Sequence, residues 1–259
     1  MVGLSSRWDR GSHPVLLGHR GARHAAPENT FAAFNLALRE GALGVELDVR
    51  LNGSGDVMVC HDRTLERVTE GRDSRRLSKL SSVECEAVKL AGDERLPRLA
   101  DVLDWAEQRN ACVNVEIKAD DRDSLKLVQA VAKLLAPRVQ LQNLLVSCFN
   151  GAALLGHRLL APHVPSAWLV DSAQLVDWPG IANLGSTAIH PKAALVTPER
   201  LTRWKRAGRR VHVWTVNDPV RALELGAWGV DCLISDNPAA LLGAFVARVE
   251  AERAQSSGS

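Results

Sequence analysis

The chain has 259 residues, of which 46% are hydrophobic and 24% charged, so it can bury a substantial core and is not a disordered polymer. That length suits two small domains or one (β/α)8 barrel of about 250 residues, leaving the pattern to decide. A formal net charge of +2, with acids and bases interspersed, excludes the broad basic field that nucleic-acid binding needs, so any anion recognition is local.

Residues 1–13 lack the apolar core of a signal peptide and are expected to form an N-terminal arm. The first strand is VLLGH, ending at His19-Arg20-Gly21, and the helical stretch PENTFAAFNLALREG follows, with Pro27 suited to its first turn and Gly41 to its stop. LGVELDV is the second strand. The turn NGSGD then leads into VMVCHD, which predicts a β-hairpin pairing Leu51 with Val57, Val49 with Val59 and Leu47 with His61. From Arg63 to Pro97 the chain is charged and weakly periodic, too long for an ordinary loop, and is expected to be a small insertion over the active face.

Regular alternation resumes after the insertion. LADVLDWAEQRN precedes strand CVNVEIK, SLKLVQAVAKLL precedes NLLVSCF, and GAALLGHRLL precedes VPSAWLV. SAQLVDW, STAIHP, TPERLTRWKRAG, VHVWTV, DPVRALELGAW, DCLISD and NPAALLGAFVARVE complete the series. Thr197-Pro198 and Asp218-Pro219 are helix starts, and Gly208 and Gly226 read as stops. Residues 253–259 are expected to be a disordered tail. No run approaches the roughly 18 apolar residues of a membrane span. The five cysteines form no CxxC pair and mostly sit in apolar runs, which points to a reducing, cytoplasmic setting.

Strands alternating with helices predict βαβ units and a parallel sheet. The expected fold is α/β, a (β/α)8 barrel spanning residues 14–252 as one domain, with the hairpin and the 63–97 insertion after strand 2. A doubly wound sheet would want a Gly-rich phosphate turn after an early strand, and none is present.

In such a barrel, chemistry gathers at the C-terminal ends of the strands. Glu46 and Asp48 are two apart on one strand and therefore share a face, as do Glu116 and Lys118. Three carboxylates converging on one mouth would repel without a cation between them, and hard oxygen ligands select Mg²⁺ or Ca²⁺. The alternative is simple pairing with Arg20, Arg50 and Lys118. His19 and His61 suit an acid and base pair for phosphoryl transfer, although a lone histidine at a strand end is more often a satisfied rim residue. The Arg20 guanidinium can hold two phosphate oxygens, Lys118 adds a point charge, and Trp214 offers an apolar wall. His190 and Ser147 are weaker candidates for the mouth, with packing or capping as the competing role.

Taken together and in order, HRG, PENT, ELD, HD, EIK, VWTVND and ISDNP resemble the glycerophosphodiester phosphodiesterase family from His19 through Pro238. LPRL stands where that family has IPTL, and no expected catalytic group is missing. The resemblance implies a (β/α)8 barrel that hydrolyses glycerophosphodiesters to sn-glycerol 3-phosphate and an alcohol. It implies catalytic histidines at His19 and His61, a divalent cation on Glu46, Asp48 and Glu116, and phosphate contacts from Arg20 and Lys118. Glu28 and Asn29 look like a helix start and supporting groups. A lysophospholipase D or sphingomyelinase D type of activity is the nearest rival, but it would want a lipid-docking surface or a secretion signal. A catalytically silent phosphoester-binding barrel would be expected to lack a histidine or an acidic ligand.

Overall fold

The computed structural model describes residues 8, 9, 11, 13–120, 123–138, 143–177 and 185–257. Residues 1–7, 10 and 12 of the expected arm, and 258–259 of the expected tail, lie outside them. The strands are β1 (Val15–His19), β2 (Gly44–Leu51), β3 (Val57–Val59), β4 (Cys112–Ile117), β5 (Leu144–Cys148), β6 (Ser166–Val170), β7 (Ala188–Pro191), β8 (Arg210–Val213) and β9 (Cys232–Ser235). All pair in parallel except β3, which lies antiparallel on β2, and β1 pairs with both β2 and β9. The eight parallel strands therefore close on themselves as a (β/α)8 barrel.

The helices are α1 (Phe31–Arg39), α2 (Ser82–Ala87), α3 (Leu99–Arg109), α4 (Ser124–Leu135), α5 (Gly151–Leu160), α6 (Ala173–Val176), α7 (Pro198–Arg206), α8 (Pro219–Trp228) and α9 (Pro238–Ser257). Helices α1, α2, α5, α6, α7 and α8 each begin at a residue whose side chain accepts from the first turn. Thr197 and Asp218 cap α7 and α8 through their side chains, with Pro198 and Pro219 in the first turns, as expected. In α4, Leu127, Val128, Val131 and Leu135 recur at helical spacing and are buried against the sheet.

Three expectations about boundaries are corrected. Pro27 lies before α1, whose cap is Thr30, because the Thr30 hydroxyl accepts from Ala33 N–H and fixes the start four residues further on. Gly226 does not stop α8. The helix runs on to Trp228 and ends at Gly229 (φ 96°), while a Cβ at Gly226 would meet Phe245 of α9 at 2.8 Å, so this glycine serves close helix packing. Helix α9 also continues to Ser257, into the segment expected to be a tail.

The hairpin has the expected register of Val49 on Val59 and Leu51 on Val57. It ends before the third expected pair. Cys60 N–H donates to Asp48 O, and the His61 carbonyl leaves the ladder to accept from Arg50 Nε at 2.7 Å. The 63–97 segment has an apolar cluster of its own, in which Leu65, Leu77, Cys85 and Leu90 are buried with Met58 and Cys60 of the hairpin.

Inside the barrel, Val15, Leu17, Cys112, Leu145, Ala167, Ala188, Cys232 and Ile234 pack together, and Trp8 from the N-terminal arm closes this cluster with no exposed surface. A larger apolar layer lies between the strands and the surrounding helices. Among the described residues no helix is long and apolar enough to cross a membrane.

Candidate active site

The parallel register carries side chains of like level around the mouth. His19 on β1 is the register partner of Glu46 on β2, and Asp48 is the partner of Glu116 on β4. Period-two alternation points all four the same way, into the mouth. Glu46, Asp48 and Glu116 are all buried, and each offers a carboxylate oxygen within 4.8 Å of the others.

Their environments drive them apart electrostatically. Burial, then the neighbouring Asp48 and Glu116 charges, pushes the Glu46 carboxyl well above its usual range. Burial and Asp48 likewise raise Glu116 to about 7. For Asp48 burial works against ionisation, but Lys118 and Arg20 outweigh it and hold the group below the usual range. The pattern is that of a site with more carboxylates than local cations can neutralise.

Both expected cations reach Asp48. Lys118, just past the end of β4, places Nζ 3.0 Å from Asp48 Oδ1 and 2.5 Å from Glu116 Oε1. Arg20 Nε stands 3.0 Å from Asp48 Oδ2, and Arg20 N–H donates to Glu46 Oε2 at 3.1 Å. The buried Asp48 Oδ1 still has no aligned hydrogen-bond donor. Arg20 reaches this position from a left-handed backbone (φ 57°) followed by Gly21 (φ 83°), where a Cβ would lie 2.6 Å from Ala33. Only glycine fits that turn, which gives the HRG triplet its local reason.

The histidines flank the carboxylates. His19 Nε2 is 3.9 Å from Glu46 Oε2, and its Nδ1 is 2.6 Å from Asp236 Oδ1. His61 Nδ1 is 2.6 Å from Asp62 Oδ1. In each dyad the carboxylate accepts from Nδ1–H, which leaves Nε2 as the nitrogen available to a substrate. Burial, helped by Lys118 and Arg20 and opposed by Asp48, lowers the pKa of His61.

Trp214 follows β8, donates its indole N–H to the His190 carbonyl at 2.8 Å and meets Phe149 edge to face at 5.6 Å. Phe149, His61, Glu116 and Lys118 line a cavity of about 170 Å³ beside the carboxylates. A larger one of about 610 Å³ lies on the rim, between Arg23 and Glu28 on one side and Arg67 and Leu90 of the insertion on the other.

His190 is not at the mouth: it is fully buried, and its Nε2 lies 3.0 Å from His212 Nδ1 within the barrel. Ser147 is also fully buried, but as the register partner of Glu116 it lies on β5 at the level of the carboxylates. Burial lowers His190 well below its ordinary pKa, and His212 to about 3, so both are neutral packing groups.

Asp62, Asp236 and Asn217 are site residues for which the sequence alone suggests no role, and Glu28 and Asn29 are expected from it only as a helix start and supporting groups. Asp62 and Asp236 orient the histidines, and Asn217 donates to Asp236 Oδ2 at 2.7 Å. Asn29, read only as support, donates to Asp48 Oδ2 at 3.0 Å. Glu28 binds Arg20, Arg23 and Arg67 together. The available signal was position: Asp62 is the second residue of the HD motif and Asp236 the aspartate within ISDNP.

The chain is similar to known proteins over almost its whole length. A glycerophosphodiester phosphodiesterase of Caldanaerobacter subterraneus subsp. tengcongensis is 29% identical over 238 residues, covering 88% of this chain and 96% of the relative. A solved structure of an Oleispira antarctica phosphodiesterase, in complex with the product sn-glycerol-3-phosphate, is 27% identical with a TM-score of 0.80, covering 90% of this chain and 96% of that one. The glycerophosphodiester phosphodiesterase of Thermotoga maritima is 26% identical with a TM-score of 0.75, covering 90% and 99%. The family model for glycerophosphoryl diester phosphodiesterases matches residues 19–240, which takes in every mouth residue described above, and the chain belongs to that family.

Proposed function

We propose that this chain hydrolyses glycerophosphodiesters to sn-glycerol 3-phosphate and an alcohol, with a divalent cation and two histidines as acid and base. The observation that carries the reading is the convergence of Glu46, Asp48 and Glu116 within 4.8 Å between two aspartate-backed histidines. The sn-glycerol-3-phosphate held by the Oleispira relative supports the same substrate class.

The donor set fits a hard cation, Mg²⁺ or Ca²⁺. It is all oxygen, it is buried, and Asp48 Oδ1 has no aligned donor. When bound, such an ion supplies Lewis-acid stabilisation of charge developing on a phosphoryl oxygen. The chain's own groups do the rest. Arg20 and Lys118 offer guanidinium and ammonium charge to the phosphate, and Trp214 with Phe149 offers an apolar wall to the glycerol carbons. His19 Nε2 takes a proton from the attacking oxygen as its bond to phosphorus forms. His61 enters this step as the imidazolium, its Nδ1–H held by Asp62, and gives its Nε2 proton to the alcohol oxygen as the bond on the far side breaks, becoming the neutral imidazole.

Five buried free cysteines favour a cytoplasmic setting for this reading. The experiment is a chelator-stripped sample assayed on glycerophosphoethanolamine, which should be inactive and recover with Mg²⁺, Mn²⁺ or Ca²⁺. Glu46→Gln and Asp48→Asn should fold and remain inactive. Full activity without metal, or release of choline phosphate from glycerophosphocholine, would refute the reading.

A further inference from the structure

The two histidine dyads do not stand alone. Arg67 of the insertion donates from Nε to Asp62 Oδ2 at 2.6 Å, and its two terminal nitrogens grip Glu28 at 2.7 and 2.9 Å. The other Asp62 oxygen holds His61, and the same Glu28 holds Arg20 at 3.0 Å and Arg23 at 3.2 Å. Arg23 in turn donates to Asp236 Oδ1 at 2.6 Å, the atom that holds His19. An unbroken chain of charge-assisted contacts therefore runs from His61 through Asp62, Arg67, Glu28, Arg23 and Asp236 to His19. Arg67 is the one link in it that comes from the insertion.

We propose that Arg67 is a positioning residue: by gripping Asp62 and Glu28 at once, it sets the His61 ring and the Arg20 guanidinium at their working separation across the mouth. The inference rests on the reading of His61 as a catalytic group.

Three features favour positioning over stability. Arg67 is 48% exposed, and exposed ion pairs contribute little to folding. Its mount is rigid, since Leu65 and Thr69 on either side are buried and the Thr69 hydroxyl donates to Leu65 O at 2.9 Å. The fork geometry is also specific. One planar guanidinium satisfies two carboxylates from different segments, which a lysine ammonium cannot reproduce. The insertion would thus complete the site by delivering one side chain, rather than by covering the mouth.

The test uses the full chain saturated with the activating cation, with glycerophosphoethanolamine as substrate. Arg67→Ala should lower kcat by about 10²-fold, the scale of a small misplacement of a catalytic group, with KM little changed and the melting temperature close to that of the parent. Guanidinium chloride at low concentration should restore most of that loss and should not restore His61→Ala. Asp62→Asn should resemble Arg67→Ala, and the double variant should be no worse than the poorer single one. Arg67→Lys, which keeps stem and charge, should fold and fall between parent and Arg67→Ala. Full activity in Arg67→Ala, multiplicative losses in the double variant, or parent-like activity in Arg67→Lys would each overturn the proposal while leaving the catalytic reading intact. Full activity in His61→Ala would remove that reading, and the proposal with it.

Discussion

At the residue scale, the two histidines can be told apart by the leaving group. General-acid help matters when the departing alkoxide is basic, and is then worth about 10²–10⁴-fold. His61→Ala should therefore cripple hydrolysis of glycerophosphoethanolamine and largely spare a glycerol phosphodiester carrying nitrophenolate. His19→Ala should damage both about equally, because the attacking oxygen needs its base in either case. If nitrophenolate rescues His19→Ala instead, the two roles are exchanged. Neither aspartate was assignable as an orienting partner from sequence. Asp236 lies 217 positions from His19, and only closure of β9 onto β1 brings them to 2.6 Å.

At the scale of elements, the turn between β1 and α1 does more than connect. It delivers Arg20 in a left-handed conformation and seats Gly21 against Ala33. Gly21→Ala should push α1 away from the mouth and draw Arg20 off Asp48. The expected result is a large loss of kcat/KM, with destabilisation of about 1–3 kcal/mol from backbone strain. A variant with parent-like kinetics would show that this turn does not place the guanidinium. The β2–β3 hairpin is the element best foreseen, because alternation and turn residues act over a few positions. It carried His61 toward the carboxylates although the ladder stops at Val59, since Cys60 still bonds to Asp48 O and Arg50 captures the His61 carbonyl. The 63–97 segment showed no strong period because it packs around the hairpin through scattered residues such as Leu65, Leu77 and Leu90.

At the scale of the molecule, the barrel is closed from below by the arm. Trp8 is fully buried, stacks on His212 at 5.5 Å and accepts at its carbonyl from Arg210. Trp8→Ala should cost about 3–5 kcal/mol in denaturant unfolding while leaving kcat of the folded fraction near parental, because the cavity opens at the end away from the mouth. Acid sensitivity is also built in. His157 is buried on α5 with neither ring nitrogen partnered, and burial together with His163 lowers it to about 4 from an ordinary 6.5. A depressed folded pKa means the unfolded chain binds the extra proton, so stability is full above pH 6.5 and falls as pH drops toward 4. Glu116, raised to about 7, acts oppositely in metal-free protein, so the measurement belongs in saturating cation. There His157→Leu should flatten the acid limb by on the order of 3 kcal/mol. An unchanged acid limb would show that His157 is not the group responsible.

What the sequence determined by itself was whatever is written in short-range order. Eight apolar runs at β-spacing between helical stretches were enough for the barrel, and carboxylates two apart on a strand were enough to point Glu46 and Asp48 together. Caps such as Thr197-Pro198 were legible for the same reason, since a helix start is decided within one turn. Only the tertiary structure decided what closure of the barrel brings together across hundreds of residues. It turned His190 inward onto His212, because strand alternation sets the face and the barrel decides what that face meets. It placed Arg67 between Asp62 and Glu28, a meeting of an insertion, a hairpin end and a loop that no local periodicity encodes.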